Sequence, residues 1–158
     1  MRMRTSAGLL LYRRVPGKAG GGVQVWIAHM GGPFWSRKEE HSWSLPKGEF
    51  TVPEEPFTAA LREFEEEMGW PAPEAEYELL GTFRQSSAKS VTVFTAAADF
   101  PDRAIRSNTF VLEWPAGSGK FREFPEVDRA GWFAAGEART RLVKGQGQVL
   151  DALLARLG

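Results

Sequence analysis

Cysteine is absent from this chain of 158 residues, which excludes disulfide staples and thiolate metal centres. Histidine is scarce: His29 lies in an apolar stretch that suits a satisfied core residue, His41 suits a loop, and the two form no recognisable ligand pair. No serine sits in a nucleophile elbow. An excess of either charge is also missing, because 20 Lys and Arg balance 20 Asp and Glu, so no global field draws in a long nucleic acid. Long apolar runs are lacking as well. Leu9 to Tyr12 is too short for a membrane span or a secretory core, and Met1 to Ser6 is charged. A soluble, cytoplasmic protein without a membrane partner is expected.

What remains is enough for one compact domain, residues 1–158, since 42% apolar residues can bury a sizeable core. Strands are expected at Ser6 to Arg13 and Val23 to Met30, joined by a hairpin-type loop from Pro16 to Gly22. Further strands fit Tyr77 to Arg84, Ser90 to Ala98 with Val91, Val93 and Thr95 on one face, Phe110 to Trp114, and a short piece at Trp132 and Phe133. Helices fit Ala134 to Val143 and Gln148 to Leu157, the last with Leu150, Leu153, Leu154 and Leu157 on one side. The order is that of an α/β sandwich.

The densest chemical signal lies between Gly48 and Trp70. Phe57, Ala60, Leu61, Phe64 and Met68 recur every three or four residues, the period of a helix with one buried stripe. Pro56 suits the first turn, Glu54 and Glu55 complement the positive end of the dipole, and Gly69 followed by Pro71 ends the helix. Four glutamates fall in five positions. On a helix Glu63, Glu66 and Glu67 converge at i, i+3, i+4 spacing, whereas Glu65 points to solvent. Carboxylates about 6 Å apart repel by roughly 0.7 kcal/mol in water and about 3 kcal/mol at an effective dielectric near 20. Arg62 can offset one of them but not three. Either the face is fully solvated, or a hard divalent cation with oxygen ligands sits there, and Mg²⁺ fits that case.

Gly48, Glu54, Arg62-Glu63, Phe64, Glu66-Glu67, Gly69 and Trp70 reproduce the spacing of the Nudix box without a departure. Seven fixed identities and two apolar positions would coincide in this chain by accident with odds on the order of 10⁻⁷. The chain therefore resembles the Nudix hydrolase family, and the resemblance implies a mixed central sheet between helices, an α/β/α sandwich. It also implies Mg²⁺, with Mn²⁺ as a substitute, and hydrolysis of a phosphoanhydride in a nucleoside diphosphate-linked substrate by attack of water on phosphorus. In the resemblance Glu66 and Glu67 match the principal metal-ligating carboxylates, Glu63 a further ligand or general base, and the Gly48 carbonyl another ligand. Arg62 matches the residue that orients the glutamates, and Glu54 a structural position. An acidic residue outside the box is implied too. Glu126 is favoured over Glu123, because its spacing to Trp132 resembles the Glu-x5-Trp pattern of diadenosine polyphosphate hydrolases.

The approach to the box, Trp43-Ser44-Leu45-Pro46-Lys47-Gly48, resembles Trp-x-x-Pro-Lys-Gly in the same hydrolases and, with variations, in enzymes that remove pyrophosphate from RNA 5′ ends. Lys47 is the expected phosphate contact, with Arg37, Lys38 and Arg84 behind it, and Phe34, Trp35 and Trp43 are candidates for stacking a nucleobase. Three readings follow: a dinucleoside polyphosphate or related small nucleotide as substrate, an RNA 5′ end, or a non-catalytic nucleotide-binding module. Balanced charge speaks against RNA, and the intact glutamates speak against a module that only binds. A monomer or a homodimer fits equally.

Overall fold

The computed structural model describes residues 3–16 and 22–158. The expected loop from Pro16 to Gly22 falls largely outside the described residues, at 17–21. Strand β1 (Arg4–Arg14) and strand β2 (Val23–Met30) form the first antiparallel pair. Two short strands follow, β3 (Trp43–Ser44) beside β2 and β4 (Lys47–Glu49) beside β1. Helix α1 (Pro56–Met68) comes next, then β5 (Glu78–Ser86), β6 (Lys89–Ala97), β7 (Thr109–Glu113), β8 (Phe121–Pro125) and β9 (Val127–Ala134). Helix α2 (Ala135–Arg141), a 3-10 turn (Lys144–Gln146) and helix α3 (Gly147–Leu157) complete the order.

Seven strands make one mixed sheet in which β9, β2, β1, β6 and β5 lie side by side; β1 and β6 run parallel, and the other pairings are antiparallel. Strand alternation divides its side chains between two cores. Leu9, Leu11, Trp26 and Ala28 pack with Ala59, Ala60, Phe64 and Met68 of α1, while Leu10, Val25 and Ile27 pack with Ala138 of α2 and Val149, Leu150 and Leu153 of α3. Each fully buried Leu or Phe contributes roughly 1.5–3 kcal/mol, so register is fixed from both faces. This is the α/β/α sandwich expected for the Nudix fold.

Helix α1 starts and stops where its residues dictate. Pro56 occupies the first turn, and Gly69, at φ 78°, closes the helix with its N–H donated to the Glu65 carbonyl at 2.8 Å. Differences from expectation lie elsewhere. Strands β3 and β4 are too short to show a period, and β8 carries Arg122 and Glu123 on a mostly exposed ribbon, so no alternation marks it. Strand β9 is eight residues long and begins immediately after Glu126, where the sequence suggested only a short piece at Trp132 and Phe133. Strands β7 and β8 form a separate hairpin whose base is tied to α1: Asn108 N–H donates to the Glu66 carbonyl, and Glu126 N–H to the Asn108 carbonyl, both at 2.8 Å. Among the described residues, no helix is long and apolar enough to cross a membrane.

Candidate active site

The site forms where α1 crosses β4. Pairing of Gly48 with Ala7 brings β4 under the helix, and Gly48 lies so close to α1 that a Cβ there would overlap the Glu63 carboxylate. One turn further along α1, Glu67 Oε1 accepts the Lys47 backbone N–H at 3.3 Å. Glu63, Glu66, Glu67, Lys47, Gly48, Glu49, Asn108 and Glu126 thus line one cleft, and Glu65 faces solvent.

Arg62 organises the outer side of this cluster. Its Nε and Nη2 donate to the two oxygens of Glu54, each at 2.8 Å, while Nη1 donates to Glu63 at 2.8 Å and Glu66 at 3.0 Å. The Glu54 contact is the main cause holding the guanidinium above its ordinary pKa, and it draws the Glu54 carboxyl below the usual range. One cation therefore touches three carboxylates, two more than the helix geometry alone assigns to it.

Glu67 lies beyond its reach. Desolvation pushes the Glu67 carboxyl up to about 8, with Lys47 opposing and the charges of Glu63 and Glu126 adding to the rise. Glu63 is raised as well, again chiefly by burial. The Lys47 ammonium is lowered by its own desolvation, which the Glu67 charge partly offsets. Among the described residues no three acidic or histidine side chains already converge as a cation cage, because Glu63 and Glu66 turn toward Arg62. The donor set nevertheless suits a hard divalent ion: all-oxygen, acidic, and with its innermost carboxylate short of positive charge. Glu63, Glu66, Glu67, Glu126 and the Gly48 backbone are the groups that could hold one.

Glu67 and Glu126 also line an adjoining pocket of about 220 Å³, together with Lys47, Lys89, Arg4, which is paired to Glu49, and the hydroxyl residues Ser6 and Ser44. Arg4 and Lys89 are absent from the sequence-based expectation. They are 85 positions apart and become neighbours only because β1 and β6 pair in parallel with Arg4 opposite Lys89. A charge at each strand start is the only signal the chain carries for them.

Several expected residues lie apart from this pocket. Trp43 is a correction: it is 2% exposed, with its ring edge-on to Phe133 at 4.9 Å and to His29 at 5.2 Å, so no nucleobase can reach its face. Trp35 is half-buried with Lys38 Nζ 5.4 Å from its ring centre, Phe34 meets Trp114 edge-on at 5.4 Å, and Arg37 is exposed. None of them lines the cleft. Arg84 is exposed on β5, where its carbonyl accepts from the Gln148 amide of α3, and Glu123 stands on β8 opposite Val111. His29 is fully buried and hydrogen-bonded, as its apolar surroundings suggest, and His41, in a turn, bonds the Leu142 carbonyl through Nδ1 at 2.8 Å.

Comparison with known proteins bears on the family and the fold. A family model described as NUDIX domain matches residues 3–153. No curated protein matches the sequence. Among solved structures, a Caenorhabditis elegans Ap4A hydrolase binary complex is similar at a TM-score of 0.64 and 21% identity, covering 98% of each chain. The NUDIX domain of Shewanella oneidensis NrtR, complexed with ADP ribose, is similar at a TM-score of 0.66 and 15% identity, over 100% of this chain and 90% of that one. RenU, a Nudix hydrolase from M. smegmatis, has a TM-score of 0.61 at 20% identity, over 100% and 89%.

Proposed function

The chain belongs to the Nudix family, whose enzymes hydrolyse phosphoanhydrides and generally use divalent metals, and on that premise we propose that it cleaves a dinucleoside polyphosphate or a related nucleotide. The observation that carries this reading is the pocket that Arg4, Lys47 and Lys89 line together with Glu49, Glu67 and Glu126, and that no aromatic ring lines. Lys47 and Lys89, with Arg4 paired to Glu49 and hydroxyls beside them, suit phosphates next to a carboxylate-held cation better than a sugar or a base. The Ap4A hydrolase among the similar structures is in keeping with such a substrate.

In the proposed reaction the oxygen of water bonds to phosphorus, the anhydride P–O bond breaks, and the leaving phosphate keeps the electron pair. Mg²⁺, when bound, neutralises phosphate charge and acidifies a water. Glu66, Glu67, Glu63, Glu126 and the Gly48 carbonyl would hold the ion, and Glu63 or Glu67 would accept the proton of the attacking water. Arg62 fixes the carboxylates of Glu63 and Glu66. Lys47, Lys89 and Arg4 bind the phosphates that do not react, which leaves Trp35, Arg37 and Arg84 to contacts outside the pocket.

A panel of dinucleoside polyphosphates, nucleotide sugars, nucleoside triphosphates and triphosphorylated RNA, with and without Mg²⁺, tests the reading. Dinucleoside polyphosphates should show the highest kcat/KM, Lys89→Ala should raise KM about tenfold, and Glu66→Gln or a chelator should lower turnover more than about 100-fold. Preference for nucleotide sugars or for RNA overturns the substrate, and activity in chelator overturns the metal.

A further inference from the structure

His29 has no role in the chemistry described above, yet it is completely buried one residue before the turn that leads away from β2. Both ring nitrogens face oxygen atoms. Nε2 lies 2.7 Å from the Lys38 carbonyl and Nδ1 lies 2.7 Å from Asp128 Oδ1. A carbonyl can only accept, so Nε2 is the donor toward Lys38, and Nδ1 makes the second hydrogen bond, to the Asp128 carboxylate. The ring is therefore a two-ended clamp rather than a filler of the core.

Its two ends hold separate segments. On one side is the Phe34 to Lys38 loop, whose Lys38 carbonyl also accepts from Ser42 Oγ at 2.8 Å. On the other side is a β-bulge: His29 pairs with Arg129 and Met30 with Val127, so Asp128 is the extra residue on β9. Glu126 lies two residues away from that bulge. Its carbonyl accepts the Gly31 N–H at 2.9 Å, and Pro125 presses so closely on Gly31 that a Cβ there would overlap its carbonyl. The backbone around Glu126 is thus registered against β2 at Gly31, and the bulge that sets this register is pinned by a side chain of β2.

We infer that His29 and Asp128 are positioning residues that fix the β9 bulge and so aim Glu126 into the glutamate cleft. The inference rests on the proposed role of Glu126 as the metal ligand outside the box. The hydrogen bond supplies what the bulge lacks, because the extra residue has no ladder partner and bends the strand locally, so holding Asp128 sets the direction in which the neighbouring Glu126 leaves it.

The test combines Mn²⁺ binding to the folded protein, followed by electron paramagnetic resonance, with steady-state kinetics. Asp128→Ala should weaken Mn²⁺ binding about tenfold and lower kcat ten- to hundredfold, with KM within about twofold. Asp128→Asn, which can still bond the ring, should restore most of both. In a Glu126→Gln background Asp128→Ala should add no further loss. If Asp128→Ala does not fold, His29→Gln serves in its place, since its amide can keep the Lys38 carbonyl while losing Asp128. Unchanged Mn²⁺ binding in the single variant, or losses that multiply in the double variant, overturns the positioning role. A Glu126→Gln variant with full affinity and full rate refutes Glu126 as ligand and removes the inference with it.

Discussion

The Arg62 guanidinium grips Glu54 through two nitrogens at 2.8 Å and leaves only Nη1 for Glu63 and Glu66. By the proposed reading, Glu54 thereby limits how strongly Arg62 would compete with a bound cation for the other two carboxylates. Glu54→Gln should release that grip, let Arg62 turn toward Glu63 and Glu66, and raise the Mg²⁺ half-saturation about tenfold. Folding stability should change little, because an ion pair this open to solvent is weakly stabilising. Magnesium titrations of kcat beside a melting curve check both statements, and an unaltered half-saturation would show that Glu54 has no influence on the ion.

Gly48 and Glu63 occupy the same space to within a methyl group. Gly48 has no positive φ, so Ala is not strained by its backbone, only by the carboxylate. Gly48→Ala should keep the fold and lower kcat on the order of 100-fold, since displacements near 1 Å at a reacting centre have that scale. Circular dichroism and turnover separate the two effects. Full activity would mean that the Glu63 carboxylate is free to move aside without consequence.

Trp43 sits in the core between His29 and Phe133. Trp43→Ala should destabilise the protein by about 3–5 kcal/mol. Trp43→Phe should lose much less stability and leave KM unchanged. A raised KM in the Phe variant, at unchanged melting temperature, would return Trp43 to the substrate.

Tyr77 closes the N-terminal end of α1 against Phe57, and its hydroxyl donates to the Pro73 carbonyl at 2.6 Å. Burial pushes the phenol up to about 12 from an ordinary value of 10.0. A folded-state pKa above the unfolded one contributes stability that is complete below pH 10 and is lost as pH rises through about 12. Stability should therefore fall across that window and fall less in Tyr77→Phe, which lacks the ionisation and loses about 1 kcal/mol at neutral pH with its hydrogen bond. Denaturant unfolding at pH 8, 10 and 11 measures this, and parallel curves for the two proteins would contradict it.

Local patterns decide a large part of the molecule. The period of Phe57 to Met68, Pro56 at its start and Gly69 at its end define α1 within a residue, and Val91, Val93 and Thr95 are buried on one face of β6 as their alternation requires. The spacing of Glu63, Glu66 and Glu67 on that helix made the acidic cluster readable, because neighbours at i, i+3 and i+4 need no knowledge of the rest of the chain. The box residues identify the family for the same reason: they lie within 23 consecutive positions.

Everything that depends on strand pairing was beyond reach of the sequence. Arg4 meets Lys89 only through a parallel register, Asp128 becomes the extra residue of a bulge only when β9 lies on β2, and Trp43 turns inward because β3 is laid against that same strand. Strands β3, β4 and β8 are too short or too polar to carry a period of their own. Helical neighbours are fixed by a chain's own geometry over a few residues, whereas sheet neighbours are fixed by which distant surfaces can be buried together, and that choice is made by the whole core.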